Sequence, residues 1–138
     1  MTGPRVVVLA DDLIWSTRLV AATRAAGAEP IAVRSSSALT AALAAIAAPD
    51  RPFAIVDLTA RAYDGVAAVT AAAAASAHVL AVGQHDDVDL RKRALAAGAS
   101  RVLAYRKLAD DGPRTIRAWL NTGPPVGSTP PANEATAR

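Results

Sequence analysis

Short valine-rich apolar runs alternate along this chain with longer stretches in which apolar residues recur every three or four positions. Residues 5–10 (RVVVLA) form the first run, as a buried strand would. Residues 12–26 then carry a helical pattern, and Gly27 is placed to end it. A second strand is expected over 29–33. Ser35 or Ser36 can cap a helix that runs to about residue 48, just before Pro49. Residues 53–56 (FAIV) read as a third strand, and Asp64-Gly65 opens an alanine-rich helix through about residue 77. A fourth strand over 78–82 leads to a helix capped by Asp87 and closed by Gly98. A short fifth strand covers 101–104. The last helix takes Pro113 in its first turn and ends near Leu120.

Strict alternation of five strands with five helices, joined by short connections, predicts an α/β fold. It is a doubly wound, five-stranded parallel sheet with helices on both faces. Right-handed crossovers leave few windings, and the usual one for five such units is strand order 2-1-3-4-5. The helix after Asp64 has alanine at eight of the eleven positions 67–77, so it buries little area and is expected to be among the less stable ones. From residue 121 the composition turns to proline, glycine and small polar residues. That predicts one folded domain over 1–120 and a disordered tail over 121–138.

Composition removes several functional classes. The chain has no cysteine, so disulfides and thiolate metal sites are excluded. Residues 65–85 lack any charged side chain, but they are mostly alanine with Thr70, Ser76, His78 and Gln84 among them. They divide better into a helix and a strand than into a membrane span. With no signal peptide pattern at the N-terminus, a cytoplasmic protein is expected. No glycine-rich phosphate loop and no Ser-His-Asp set occurs, so no enzyme activity is expected. Charge is uneven. Residues 1–90 hold six basic and nine acidic residues, whereas 91–117 hold eight basic and two acidic. A solvated surface explains such a block, and so does an acidic partner.

Candidate chemistry lies at two strand ends. In an open parallel sheet, sites form beyond the carboxyl ends of the strands where the strand order reverses, here between the first and third strands. Asp11 and Asp12 follow the first strand and Asp57 follows the third, so three carboxylates should converge. Like charges brought together need a proton or a cation. An all-oxygen set suits a hard ion such as Mg²⁺, and an aspartate beside it could attack phosphorus. Each aspartate could instead do no more than cap the helix that follows.

Three motifs in order, "VVVLADD", "DLTARAYDG" and "RALAAGASRVLA", resemble the receiver domain of bacterial response regulators (CheY-like) over about residues 4–120. The handedness and strand order above are those of that family. The resemblance implies that Asp57 is the phosphoacceptor. It implies Mg²⁺ held by Asp11, Asp12 and Asp57, with the backbone carbonyl of Thr59. It also exposes departures. The family's switch hydroxyl falls on Gly83, its aromatic switch on Val102 and its phosphate-binding lysine on Tyr105. His85 falls where the family tunes phosphate lifetime, although a loop histidine before a helix is the plainer reading. His78 reads as structural and Trp15 as a packing anchor.

Two functions follow from the resemblance. The first is a stand-alone, atypical receiver in a phosphorelay, phosphorylated on Asp57 and acting through protein contacts. Its partner would be a sensor histidine kinase or a downstream effector. Arg91, Lys92, Arg93, Arg114 and Arg117 would form the partner face. The second is a pseudo-receiver that acts as a phosphorylation-independent interaction module. A small nucleotide- or phosphate-binding enzyme ranks below both. Nucleic acid is not expected as a partner, because no helix-turn-helix pattern follows the domain.

Overall fold

The computed structural model describes residues 3–48 and 50–122. Ten elements alternate without exception: β1 (Arg5–Leu9), α1 (Leu13–Ala25), β2 (Glu29–Val33), α2 (Ser36–Ala44), β3 (Phe53–Asp57), α3 (Gly65–Ala74), β4 (His78–Gly83), α4 (Val88–Ala97), β5 (Arg101–Ala104) and α5 (Tyr105–Leu120). The strands form one parallel sheet in the order β2-β1-β3-β4-β5, as the pattern predicts. β3 is central, and all five of its residues are buried. No helix among the described residues is long and apolar enough to cross a membrane.

The period of two along each strand sorts the core into two layers. Val7, Leu9, Ala54, Val56, Val79, Ala81 and Val102 face one way, against Leu39 and Leu43 of α2, Ala68, Val69 and Ala72 of α3 and Ala94 of α4. Val6, Val8, Phe53, Ile55, Leu80, Val82 and Leu103 face the other way, against Leu19 and Ala22 of α1 and Leu108, Ile116 and Trp119 of α5. Continuous apolar runs are what a strand covered on both faces requires.

Three helix boundaries differ from expectation, each for a local reason. α2 stops at Ala44 rather than near residue 48, because a tightened turn (Ile46 N–H to Leu43 O, 3.1 Å) turns Ile46 into the core. α3 stops at Ala74 because Ser76 takes a left-handed φ of 66° and Ala77 N–H closes back onto Ala72 O at 3.0 Å. α5 begins directly after β5, at Tyr105. Non-helical dihedrals at Asp111 divide it, and the part expected from the sequence is only the second half, with Pro113 in its first turn.

The far end of α5 locks onto the amino ends of the central strands. His78 stacks on Trp119 at 5.2 Å, and Phe53 meets both rings edge-on. Thr122 Oγ1 donates to Trp119 O (2.6 Å) and so accepts from His78 Nε2 (3.1 Å). The neutral imidazole with its proton on Nε2 therefore satisfies this corner, as the structural reading of His78 expects. Asn121 and Thr122 belong to the fold. The remainder of the expected tail, 123–138, lies outside the described residues.

Burial lowers the His78 pKa below its ordinary value. The Trp119 carbonyl opposes this in part, and Arg51 adds to the lowering. The unfolded chain then takes up this proton first. The stabilisation is complete above about pH 6.5, the unfolded value, and is lost as pH falls below it. Melting of the wild type should therefore fall relative to His78→Phe between pH 7.5 and 5.5. Parallel falls in the two proteins would show that His78 does not titrate this way.

Candidate functional site

The site forms where β1 and β3 end side by side. Past β1, Asp11 Oδ2 accepts from the backbone N–H groups of Arg61 (3.0 Å) and Ala62 (2.9 Å). This fastens the β3–α3 loop to the β1 end. Asp11 O in turn accepts from the Arg34 guanidinium at 2.9 Å. Asp12 is the N-cap of α1, its Oδ1 accepting from Trp15 N–H at 3.0 Å. Part of the helix-capping reading thus holds for Asp12, while Asp11 caps no helix.

The last residue of β3 is Asp57, only 1% exposed. Its Oδ1 accepts from Thr59 N–H (3.1 Å), from Thr59 Oγ1 (3.0 Å) and from the Tyr105 hydroxyl, which also touches Thr59 Oγ1. Burial, then the bond to Asp57, push the Tyr105 phenol up. It stays protonated at neutral pH and is a donor to the carboxylate. Two hydroxyl protons serve three oxygens here. Tyr105 gives its own to Asp57, and Thr59 has one for either Asp57 or Tyr105.

Tyr63 braces the same strand ends. Its buried hydroxyl is shared between Asp57 O (2.7 Å) and Leu9 O (3.1 Å). Burial and the neighbouring Asp57 and Asp11 carboxylates also push this phenol up. Asp64 Oδ1 caps α3 through Ala67 N–H at 3.1 Å. A Cβ at Gly65 would lie 2.7 Å from Leu58 Cα and 2.8 Å from Leu58 O. The Asp-Gly pair therefore starts a helix and lets it abut the backbone just beyond Asp57.

Asp11, Asp12, Asp57 and Thr59 line one polar cavity of about 500 Å³, as their positions predict. Gln84, Arg61, Trp15 and Tyr105 complete its wall. Sequence reasoning passed over Arg61, Gln84 and Tyr63, although all three lie within a few residues of a strand end. Among the described residues, no three acidic or histidine side chains sit close enough together to hold one ion. Asp11 Oδ1, Asp12 Oδ2 and Asp57 Oδ2 accept no hydrogen bond from a described residue. These oxygens do not close on one point, but their chemistry suits a hard ion that keeps several waters between itself and its ligands, as Mg²⁺ does.

The departures from the receiver pattern have clear positions. Gly83 ends β4, and a Cβ there would meet only Leu58 Cδ1 at 3.5 Å, an ordinary contact. Its missing hydroxyl is thus a matter of residue choice rather than of space. Val102 is buried on the α4 side of the sheet, the opposite layer from Tyr105. His85 is exposed in the β4–α4 loop and does not line the cavity, whereas its neighbour Gln84 does. Trp15 is partly buried, as a packing anchor is, but its ring is stacked on Tyr105 with centroids 4.2 Å apart.

Arg117 donates to Ala25 O (3.0 Å) and Ala26 O (3.4 Å) at the end of α1. The exposed guanidinium complements the terminal carbonyls of that helix. Arg91, Lys92 and Arg93 are exposed on α4. Arg114 is exposed on α5 and shares a hollow of about 260 Å³ with Arg101 and Lys107.

No family model matches the chain, and no curated protein sequence matches it. Solved structures do. A signal receiver domain from Mycobacterium tuberculosis is 19% identical, with a TM-score of 0.72 over 89% of this chain and 100% of that one. A response regulator receiver domain from Rhodospirillum rubrum is 18% identical, with a TM-score of 0.71 over 91% of this chain and 99% of that one. A response regulator protein from Burkholderia pseudomallei, with a phosphorylated aspartic acid, calcium ion and citrate, is 20% identical. Its TM-score is 0.67 over 97% of this chain and 71% of that one. The chain has the receiver-domain fold.

Proposed function

We propose that this chain is an atypical response-regulator receiver acting in phosphorelay signalling, with Asp57 as its phosphoacceptor. The observation that carries the reading is the buried Asp57 at the end of the central strand. One of its oxygens is held by Thr59 and Tyr105, and the residue lines a polar cavity with Asp11 and Asp12. Asp11, Asp12, Asp57 and the Thr59 carbonyl would hold Mg²⁺, which when bound offsets the charge that gathers as a phosphoryl group approaches a carboxylate. Output would pass through protein contacts in the cytoplasm. Arg91, Lys92, Arg93 and Arg114 would offer a basic surface to an acidic partner, a kinase or an effector.

Incubated with Mg²⁺ and acetyl phosphate, the protein should gain one phosphoryl group by intact mass, and chelation should prevent the gain. A protein that gains none with Mg²⁺ present would defeat the reading.

One observation favours a second reading, a phosphorylation-independent interaction module. Tyr105 stands where a receiver has its lysine, and its neutral hydroxyl already occupies Asp57 Oδ1. Phosphate would find no cation at that position. Under this reading the same incubation leaves the mass unchanged.

A further inference from the structure

The two oxygens of Asp57 are unequal. Oδ1 takes three donors, while Oδ2 takes none from a described residue. Of the three donors, two come from Thr59, two residues along the same loop. Only Tyr105 reaches in from a distant element.

Tyr105 is mechanically placed to transmit a change. It opens α5, and the short stretch it leads is set apart from the rest of the helix by non-helical dihedrals at Asp111 (φ −153°, ψ 38°). Its ring stacks on Trp15 at an interplanar angle of 30°. Trp15 is the wall between two hollows. On one side is the acidic cavity with Asp57. On the other is an apolar groove of about 590 Å³ between α1 and α5, floored by Ala22, Ala25, Leu108 and Pro113. The opposite layer offers no comparable link, since Gly83 has no side chain to donate and Val102 has no polar atom.

We propose that Tyr105 is a positioning residue that latches Asp57, holding Oδ1 and leaving Oδ2 to react, and that phosphorylation releases it and so shifts the stacked Trp15 at the α1–α5 groove. This rests on the phosphoacceptor reading. In the step itself, an Oδ2 lone pair forms the new O–P bond. The P–O bond of acetyl phosphate breaks, and its electron pair leaves with acetate, so no proton is required. Oδ1 is then a carbonyl oxygen rather than half of a carboxylate. The bond from Tyr105 loses its charge assistance, and the phosphoryl oxygens compete for the hydroxyl. The two states of Asp57 thus differ in their contact with Tyr105, which is what any shift of conformation requires.

The chain has two tryptophans, Trp15 and Trp119. Labelled with 5-fluorotryptophan, they give two ¹⁹F resonances, assigned with Trp15→Phe. With Mg²⁺ and beryllofluoride, the Trp15 resonance should move and that of Trp119 should not. Tyr105→Phe keeps the stacked ring but removes the one donor that reaches Oδ1 from a distant element. The Trp15 shift should vanish, and phosphoryl uptake from acetyl phosphate should speed up about tenfold, the smaller end of what one charge-assisted hydrogen bond is worth. An adduct on the wild type that leaves Trp15 unmoved, or a Tyr105→Phe variant no faster than wild type, overturns the latch and leaves the phosphoacceptor reading standing. No adduct on either protein removes both.

Discussion

Trp119→Ala should cost about 3–5 kcal/mol of stability, the range for emptying a buried aromatic site. Trp119 is 1% exposed, and its ring lies between His78 and Phe53. It is also hydrogen-bonded: Nε1 donates to Ser100 Oγ at 3.1 Å, and Ser100 Oγ donates to Val79 O at 2.9 Å. Removing the indole therefore opens a cavity and leaves a part-buried hydroxyl with one partner fewer. For a domain with a typical stability of about 5–15 kcal/mol, that is at least about a fifth of the total. The melting temperature should drop by roughly 10–20 °C. Trp119→Phe should recover most of this, because the ring contacts persist while the bond to Ser100 does not. Calorimetry of the three proteins at pH 7.5 checks the order, and a Trp119→Ala protein that melts within a few degrees of wild type would refute the account.

Trp119 also shows why the fold was so legible. Its helix reads in the sequence as apolar residues at helical spacing, and each strand as a short apolar run. Both patterns are local. The three site aspartates were legible for a related reason. Each lies at or just past the end of a strand placed by the topology, so their meeting follows from chain order. What stayed hidden depends on partners far along the chain. Tyr105 reaches Asp57 across 48 residues, and Arg117 reaches Ala25 across 92. The resemblance put Tyr105 at the phosphate-binding position, but no local pattern states that its hydroxyl will donate to Asp57, or that an arginine in a basic block will reach a helix end. The start of α5 was missed for a mixed reason. Tyr105 and Leu108 have helical spacing, but the break at Asp111 and Gly112 separates them from the clearer pattern after Pro113.

Asp57→Asn should abolish phosphoryl uptake while leaving the fold unchanged. The amide has no oxygen with the nucleophilicity of a carboxylate, so the O–P bond cannot form. The geometry around it has reason to persist. An asparagine carbonyl still accepts from Thr59 N–H and from Tyr105, and the Tyr63 hydroxyl is bound to the backbone oxygen of residue 57, not to its side chain. The substitution also removes one of three negative charges lining the cavity, which lessens their mutual repulsion. The variant should accordingly melt no lower than the wild type and show no mass gain with Mg²⁺ and acetyl phosphate. Asp12→Asn makes the contrast. It keeps a capping oxygen for Trp15 N–H, so α1 should hold, but it removes a charge from the proposed Mg²⁺ set. Uptake should then survive and demand a higher Mg²⁺ concentration. Retained uptake in Asp57→Asn would move the acceptor to another residue. Uptake in Asp12→Asn with an unchanged Mg²⁺ requirement would remove Asp12 from the metal set while leaving Asp57 in place.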